Sequence, residues 1–281
     1  MSDKIIAIDA MGGDNAPVEI VKGAVKASKT VKYGLALVGR QDIINSELAK
    51  YSYEKDKITV VNADEVIENC ETPTEAIKHK KNSSMVVGLN MVKDGRAVAF
   101  VSAGNTGALL TGATIIVGRI KGVKRPALGT MLPSEKNRVL MMDSGANVDA
   151  KAEYLVQYAQ MGSVYFENVL GKENPTVGLI NIGTEREKGN AMVKEAYGLL
   201  EEARGINFVG NVEARDITLG NVDIVVCDAF VGNVILKVME GLGNTVLRLL
   251  KKELMSGMRT KIGALFAKPA FVNIKKNFFE Y

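Results

Sequence analysis

Seven apolar runs punctuate the chain: IIAID at 5–9, LALVG at 35–39, ITVV at 58–61, AVAFV at 97–101, VLMMD at 139–143, VGLINI at 177–182 and DIVVC at 223–227. Several are apolar on consecutive rather than alternate positions, as in parallel strands covered on both faces. Between them, Val18–Lys29, Met85–Lys93, Glu153–Leu170 and Ala191–Arg204 carry apolar residues at helical spacing, with glycines near their ends. The alternation reads as βαβ units. It predicts an α/β fold, a three-layer α/β/α sandwich, with 1–281 forming a single two-lobed domain.

Polar, glycine-containing turns follow the strand ends: AMGGDNAP at 10–17, SAGNTG at 102–107, DSGAN at 143–147, GTEREKGN at 183–190 and DAFVGN at 228–233. In open parallel sheets ligands bind outside the carboxyl ends of the strands, where loop amides and helix N-termini favour anions. Several such turns converging on one anion is the functional expectation. Capping and turn chemistry account equally well for each turn taken singly. Asp14 and Asn15 are candidate N-caps with Pro17 early in the following helix, and Asn233 is a natural N-cap for a last helix. Lys188 and Arg186 are available to neutralise an anion, although mixed charge on a loop is commonly just solvated. No GxGxxG or GxxxxGK[ST] pattern is present, which disfavours dinucleotide and Walker-type sites.

Charge and composition narrow this further. With 36 Lys and Arg against 32 Asp and Glu in 281 residues, the net charge of +4 falls short of a nucleic-acid footprint. The basic excess is local: Arg248–Lys276 holds eight Lys or Arg against one Glu, so it carries +7 and the remainder −3. Interleaved apolar residues predict two amphipathic helices with basic rims over 233–276, interrupted at Pro269, which pair with a second copy, cover the body or lie on an anionic membrane. The opening MSDKIIAIDAMGG reads as a strand rather than a secretion signal, and no apolar stretch is long enough to span a bilayer. Cys70 and Cys227 lack CxxC spacing and fit a reducing cytoplasm, with Cys227 an apolar filler. The lone histidine, His79, excludes a Ser-His-Asp triad, a Cys-His dyad and His-rich metal sites, and itself reads as a solvated helix-end charge. No metal and no cofactor is expected.

Taken jointly, IDAMGGDNAP at 8–17, KKNSSM at 80–85, SAGNTGAL at 102–109, VGRIKG with RPAL at 117–128, DSGANVDAK at 143–151, NIGTEREKGN at 181–190, GNVEARD at 210–216 and CDAFVGNVILK at 227–237 resemble a known family. In this order, over nearly the whole chain, they are similar to the acyl-acyl-carrier-protein:phosphate acyltransferases, the PlsX family of bacterial phospholipid synthesis. The resemblance implies the fold of phosphotransacetylases and isocitrate/isopropylmalate dehydrogenases, without a bound nucleotide cofactor. It also implies a cytoplasmic homodimer associated peripherally with the membrane near a glycerol-phosphate acyltransferase. Ala229 stands where the family usually has Gly. The chain stops at NFFEY, where family members typically continue, so a final strand and helix are expected to be missing.

The implied reaction is attack of inorganic phosphate on the thioester of an acyl carrier protein, giving acyl phosphate. Phosphate is already anionic, and a thiol with pKa near ~8.5 leaves without strong protonation, so no histidine is required. The expected holders of phosphate or oxyanion are Gly12, Gly13, Asn15, Ser102, Gly104, Asn105 and Thr106, with Lys188 balancing charge. Asp9, Asp143, Asn147, Asn181, Asp228 and Asn233 are expected to orient the groups, with Asp143 or Asp228 the proton acceptor. Lys78, Lys80, Lys81 and the basic C-terminal segment are candidate docking points for the acidic carrier. A phosphotransacetylase using acyl-coenzyme A and a non-catalytic membrane-docking scaffold are the alternatives, and a nicotinamide-dependent dehydrogenase is disfavoured.

Overall fold

Strand and helix alternate along the backbone of the computed structural model, which describes residues 4–279, with side chains described through residue 274. The chain divides into two compact units, the first ending at Gly122 and the second beginning at Val123.

In the first unit the elements run β1 (Ile5–Asp9), α1 (Val18–Ser28), β2 (Gly34–Gly39), α2 (Gln41–Leu48), β3 (Ile58–Asn62), α3 (Pro73–His79), α4 (Ser84–Lys93), β4 (Ala99–Val101) and α5 (Thr106–Gly112), the last continuing as a π-helical turn, Ala113–Val117. The four strands form a parallel sheet in the order β3-β2-β1-β4. Strand β2 shows why its apolar residues are consecutive. Leu35 and Leu37 pack with Val21, Val25 and Ile44 of α1 and α2, while Ala36 and Val38 face the other way and pack with Met91 of α4. Both faces are covered, so neither register position is polar.

In the second unit β5 (Gly129–Pro133), β6 (Arg138–Met142), α6 (Ala152–Tyr165, with a π-helical extension Phe166–Leu170), β7 (Thr176–Asn181), α7 (Ala191–Glu202), β8 (Asn207–Glu213), α8 (Ala214–Leu219), β9 (Ile224–Val226), α9 (Ala229–Leu254) and α10 (Met258–Phe279) follow in turn. The sheet order is β5-β6-β9-β7-β8, parallel except for β5 against β6. Helix α6 buries Leu155, Tyr158, Ala159 and Gly162, one stripe at helical spacing, against Ile224, Val226 and Leu179. A Cβ on Gly162 would lie 2.9 Å from Ile224, so the glycine sets the approach of α6 to the sheet. The opposite face packs Ile180, Val225 and Cys227 against Ile217, Val231 and Ile235. Each unit is thus an α/β/α sandwich, as the periodicity predicts.

Several sequence expectations need correction. The apolar-run reading omits β5 and β8. Strand β5 is half-exposed and ends in Pro133, and β8 is broken by Gly210 at φ 95° where its register against β7 shifts, so neither shows a continuous apolar signature. The C-terminal helices break at Ser256 and Gly257, not at Pro269, which lies inside α10. At the break the Gly257 N–H donates to Thr260 Oγ1 (3.0 Å), a local turn that starts the new helix. The last long helices begin at Ala229 and not at 233, because the capping residue is Asp228: its Oδ1 accepts the Val231 N–H at 2.9 Å, and Asn233 lies one turn inside.

Asp223, just before β9, is a buried charge that ties the second sheet to its own connection. It accepts from Lys172 Nζ (2.5 Å), the Thr176 N–H (2.9 Å) and Thr176 Oγ1 (3.0 Å), while its own N–H donates back to Thr176 Oγ1. Burial pushes its carboxyl up, but the Lys172 and Thr176 hydrogen bonds outweigh that and hold it below the usual value of 3.8. A depressed folded-state value adds stability above the unfolded value and loses it as the pH falls through the folded one. Asp223→Asn, whose amide would turn a donor toward Lys172, is expected to lose about 1–3 kcal/mol at neutral pH in urea unfolding. The gap to the wild type should close as the pH is taken below 3.8; a gap constant with pH would refute the ionic role.

Candidate functional site

The predicted turns fall into two groups, one at the carboxyl edge of each sheet, and each group is organised by a buried carboxylate. In the first unit Asp9 ends β1 beside the end of β4. Its Oδ1 accepts the Met11 N–H at 3.1 Å and its Oδ2 accepts the Ser102 hydroxyl at 2.7 Å, while Ser102 Oγ accepts the Gly104 N–H at 3.1 Å. The MGG and SAG turns therefore meet. Gly12 has no room for a side chain: a Cβ would lie 2.4 Å from Asp9 Oδ2 and 3.0 Å from the Gly104 nitrogen. Gly13, at φ 103°, sits against the Ala103 carbonyl. Among the described residues, the Gly12 and Gly13 N–H groups donate to no protein acceptor. Thr106 and Asn15 are exposed at the rim of this group. Neither Asn15 nor Asp14 caps α1, which starts after Pro17 without a side-chain cap; Asp14 Oδ1 instead accepts from Asn69 Nδ2.

Asn105 departs from its expected role. Its Oδ1 caps α5 by accepting the Ala108 N–H (2.9 Å), and its Nδ2 points at the carbonyls of Glu68, Asn69 and Glu71 at 3.2–3.3 Å. The amide holds the 68–71 loop and offers no outward donor. Glu71 fixes the same loop. The Glu68 N–H and the Lys80 ammonium bonded to it hold its carboxyl below the ordinary range. Lys80 is thereby committed to Glu71 and to the Val66 carbonyl, whereas Lys78 and Lys81 are exposed, Lys81 with its ammonium on the Ile77 carbonyl. His79 is exposed at the end of α3, 3.0 Å from Glu75.

In the second unit Asp143, fully buried after β6, accepts five N–H groups. Leu128, Gly145 and Ala146 donate to Oδ1, and the backbone and side-chain nitrogens of Asn147 donate to Oδ2, all within 2.8–3.2 Å. Both oxygens are filled, which is at odds with the expectation that Asp143 takes a proton. Asn147 Nδ2 also donates to the Pro126 carbonyl, and the Asn147 backbone carbonyl accepts the N–H of Ala229, which is buried. Helix α9 comes so close here that a Cβ on Gly232 would lie 1.9 Å from the Asp143 carbonyl oxygen.

Asn181 turns inward as well, with Nδ2 on the Lys188 carbonyl (3.0 Å) and Oδ1 on the Ile182 N–H (2.8 Å), closing the 183–190 loop. Arg186 is not a free solvated charge. It forms a two-pronged ion pair with Glu201 and lies 5.1 Å over the Tyr197 ring. The Lys188 ammonium takes no ion pair among the described residues. Asp228 is half-buried, and only its Oδ1 is engaged, in capping α9. Asn233 is half-buried in the second turn. Asp228 also lines a cavity of about 320 Å³ with Asn181, Asn190 and a set of apolar residues that sequence reasoning missed. Cys227, 3% exposed, lies beneath; burial pushes its thiol up, reinforced by the Asp228 and Asp143 carboxylates, so it stays protonated and unreactive. The described residues contain no group of three His, Cys, Asp or Glu able to hold a metal.

Comparison with known proteins decides the family. The family model described as "Fatty acid synthesis protein" matches residues 5–281. The chain belongs to that family. It is 51% identical over 275 residues to a phosphate acyltransferase of Clostridium acetobutylicum, covering 98% of this chain and 83% of that one. It is also 51% identical to one of Clostridium botulinum, covering 98% and 82%. Among solved structures, the EutD phosphotransacetylase of Staphylococcus aureus and a phosphotransacetylase of Streptococcus pyogenes each align with TM-score 0.61 at 16% identity, over 86% of this chain and 83% of theirs. At that identity the likeness is one of fold. The family membership and the phosphotransacetylase-like architecture are those the turn motifs imply.

The Gly232 contact yields a test. Gly232→Ala should push α9 off the Asp143 turn, lower stability by about 1–3 kcal/mol and open Cys227 to solvent. Thiol titration of the native wild type should find one fast cysteine, Cys70, which is exposed, and in the variant two. An unchanged titration and melting temperature would refute the close packing.

Proposed function

We propose that this chain is a phosphate acyltransferase that moves the acyl group of an acyl carrier protein thioester onto inorganic phosphate. The observation that carries the reading is 51% identity, over 98% of the chain, to a protein of that name. The site chemistry supports it. The reaction needs an anion held, a tetrahedral oxyanion stabilised and a thiolate released, and preorganised amides supply the first two without a histidine.

The first-unit turns, with the N–H groups of Gly12 and Gly13, the rim residues Asn15 and Thr106, and the Asp9–Ser102–Gly104 chain that shapes them, are assigned to anion binding. Asn105 and Asn181 are positioning residues, because every polar atom of their side chains is bonded to the protein's own backbone, and Asn147 is one through its Nδ2, which donates to the Pro126 carbonyl and to Asp143. Asp143 holds the 143–147 turn. The proton-accepting role passes to Asp228, whose Oδ2 is uncommitted. Lys188 offsets negative charge. Asn233 stays an orienting candidate.

Further partners follow from the family resemblance. The exposed lysine Lys78 and the basic C-terminal helices suit an acidic carrier. A homodimer contact, and peripheral attachment to an anionic membrane beside a glycerol-phosphate acyltransferase, are placed on α9 and α10. These helices expose Val238, Leu242, Val246, Leu249 and, beyond the break, Ile262, Leu265 and Phe266. Among the described residues no helix is long and apolar enough to cross a membrane.

Purified chain, acyl carrier protein thioester and phosphate should give acyl phosphate; product from acyl-coenzyme A alone would transfer the reading to a phosphotransacetylase, and binding of anionic vesicles with no product from either donor to a scaffold. Asp228→Asn separates chemistry from capping, since Asn caps helices as well as Asp. It should keep the wild-type melting temperature and lose at least about tenfold in turnover, or ~1.4 kcal/mol. Lys188→Ala should lose a similar factor. Full turnover in both would remove these two residues from the mechanism.

A further inference from the structure

The cavity beside Asp228 has a composition that the anion chemistry does not use. Its volume, about 320 Å³, is at the lower end of small-molecule sites. Its interior is closed by Leu155 and Leu179, both fully buried, and by Val193 of α7. Around it Ile182, Phe230 and Val234 are 80%, 64% and 48% exposed, three large apolar side chains gathered at one concavity. Asp228 is the single charged residue of the lining. A phosphate or nucleotide inside would meet a carboxylate and no cation. An alkyl chain would cover exposed apolar surface at every methylene and leave the polar edge of the lining, with the uncommitted oxygen of Asp228, beside its thioester end.

We infer that this cavity receives the fatty acyl chain of the substrate, with its thioester end at Asp228 and its methylenes running between α9 and the loop after β7 toward Leu155 and Leu179. The inference rests on the acyltransferase reading for its substrate class. It goes beyond that reading in naming the residues that set chain-length preference: Ile182, Val193, Phe230 and Val234. The helix that presents Asp228 then also measures the acyl chain, because Phe230 and Val234 follow on its first two turns.

The test compares butyryl, octanoyl and palmitoyl thioesters of acyl carrier protein in wild type and Val234→Trp, a half-exposed position where a larger side chain fills the cavity without entering the core. Losing contact with even two methylenes at about fourfold each, the palmitoyl-to-butyryl ratio of kcat/KM should fall at least about tenfold. Ile182→Trp, on the loop after β7, repeats the test should Val234→Trp fold poorly. A ratio unchanged in a folded variant overturns the assignment.

A measurement independent of turnover accompanies it. A diazirine-tagged palmitic acid, photolysed with the wild-type chain and mapped by peptide mass spectrometry, should label residues 179–193 or 227–235, and Val234→Trp should suppress that label. Labelling confined to α10, or no saturable labelling, overturns the pocket. Absence of acyl phosphate from every thioester, with the label in place, overturns the acyltransferase reading and leaves the pocket standing.

Discussion

A carboxylate taken out of water must find hydrogen-bond donors, and that requirement shapes both candidate sites. Each unit carries an aspartate where a parallel strand ends, Asp9 after the apolar run of β1 and Asp143 after that of β6, and each is buried. An unpaired buried charge would cost several kcal/mol, so the following turn has to fold back and deliver its N–H groups. At Asp143 this takes five donors from residues 128 and 145–147. At Asp9 it takes the Met11 amide and a hydroxyl from the neighbouring strand's turn. The glycines at 12 and 232 are consequences: the backbone must approach a carboxylate in one case and a carbonyl in the other, closer than any Cβ permits.

The same constraint divides the polar residues into two kinds. Those bonded inward on all sides, Asp143, Asn105 and Asn181, cannot exchange a partner for substrate without opening their loop. What remains for chemistry is what the loops leave unbonded: the amides of Gly12 and Gly13, the second oxygen of Asp228 and the ammonium of Lys188. In each unit these groups sit on turns fixed before substrate arrives, which suits a reaction whose nucleophile and leaving group need little proton transfer.

The layered fold was legible because strands buried on both faces are apolar at successive positions, as Leu35 to Val38 are, and because these short runs alternate with segments at helical spacing. Strands β5 and β8 were not, because an antiparallel edge strand and a bulged one each break the run with Gly or Pro. The turns were legible as turns, and their joint order identified the family. What was not legible is direction. Nothing in the letters SAGNTG says that the Asn105 amide faces three carbonyls of a loop 34 to 37 residues earlier. The cap of α9 misled for a related reason. Asp228 and Asn233 are both good caps, and only the packing of Gly232 on the Asp143 carbonyl puts the helix start at the earlier one. Pro269 was over-read: proline costs a helix interior one hydrogen bond and some crowding, whereas the Ser256–Gly257 pair with Thr260 offers the backbone another set of bonds.

Helix α9 joins these threads mechanically. It is 26 residues long, or roughly 39 Å at 1.5 Å per residue, and it packs into the core over its N-terminal part, through Ala229, Val231, Gly232, Ile235, Leu236 and Met239. Its first turn is held by the Asp228 cap, by the Asn147 carbonyl and by contact with the Asp143 carbonyl, and the last two tie it to the 143–147 turn. Proline is absent from α9, but Gly241 and Gly243 lie inside it and loosen its middle. Before those glycines, Asp228, Phe230 and Val234 belong to the segment that packs on the core. The polar turn and the apolar cavity are coupled by this first part of the helix, so a tilt of it cannot change the cavity without also moving the uncommitted oxygen of Asp228.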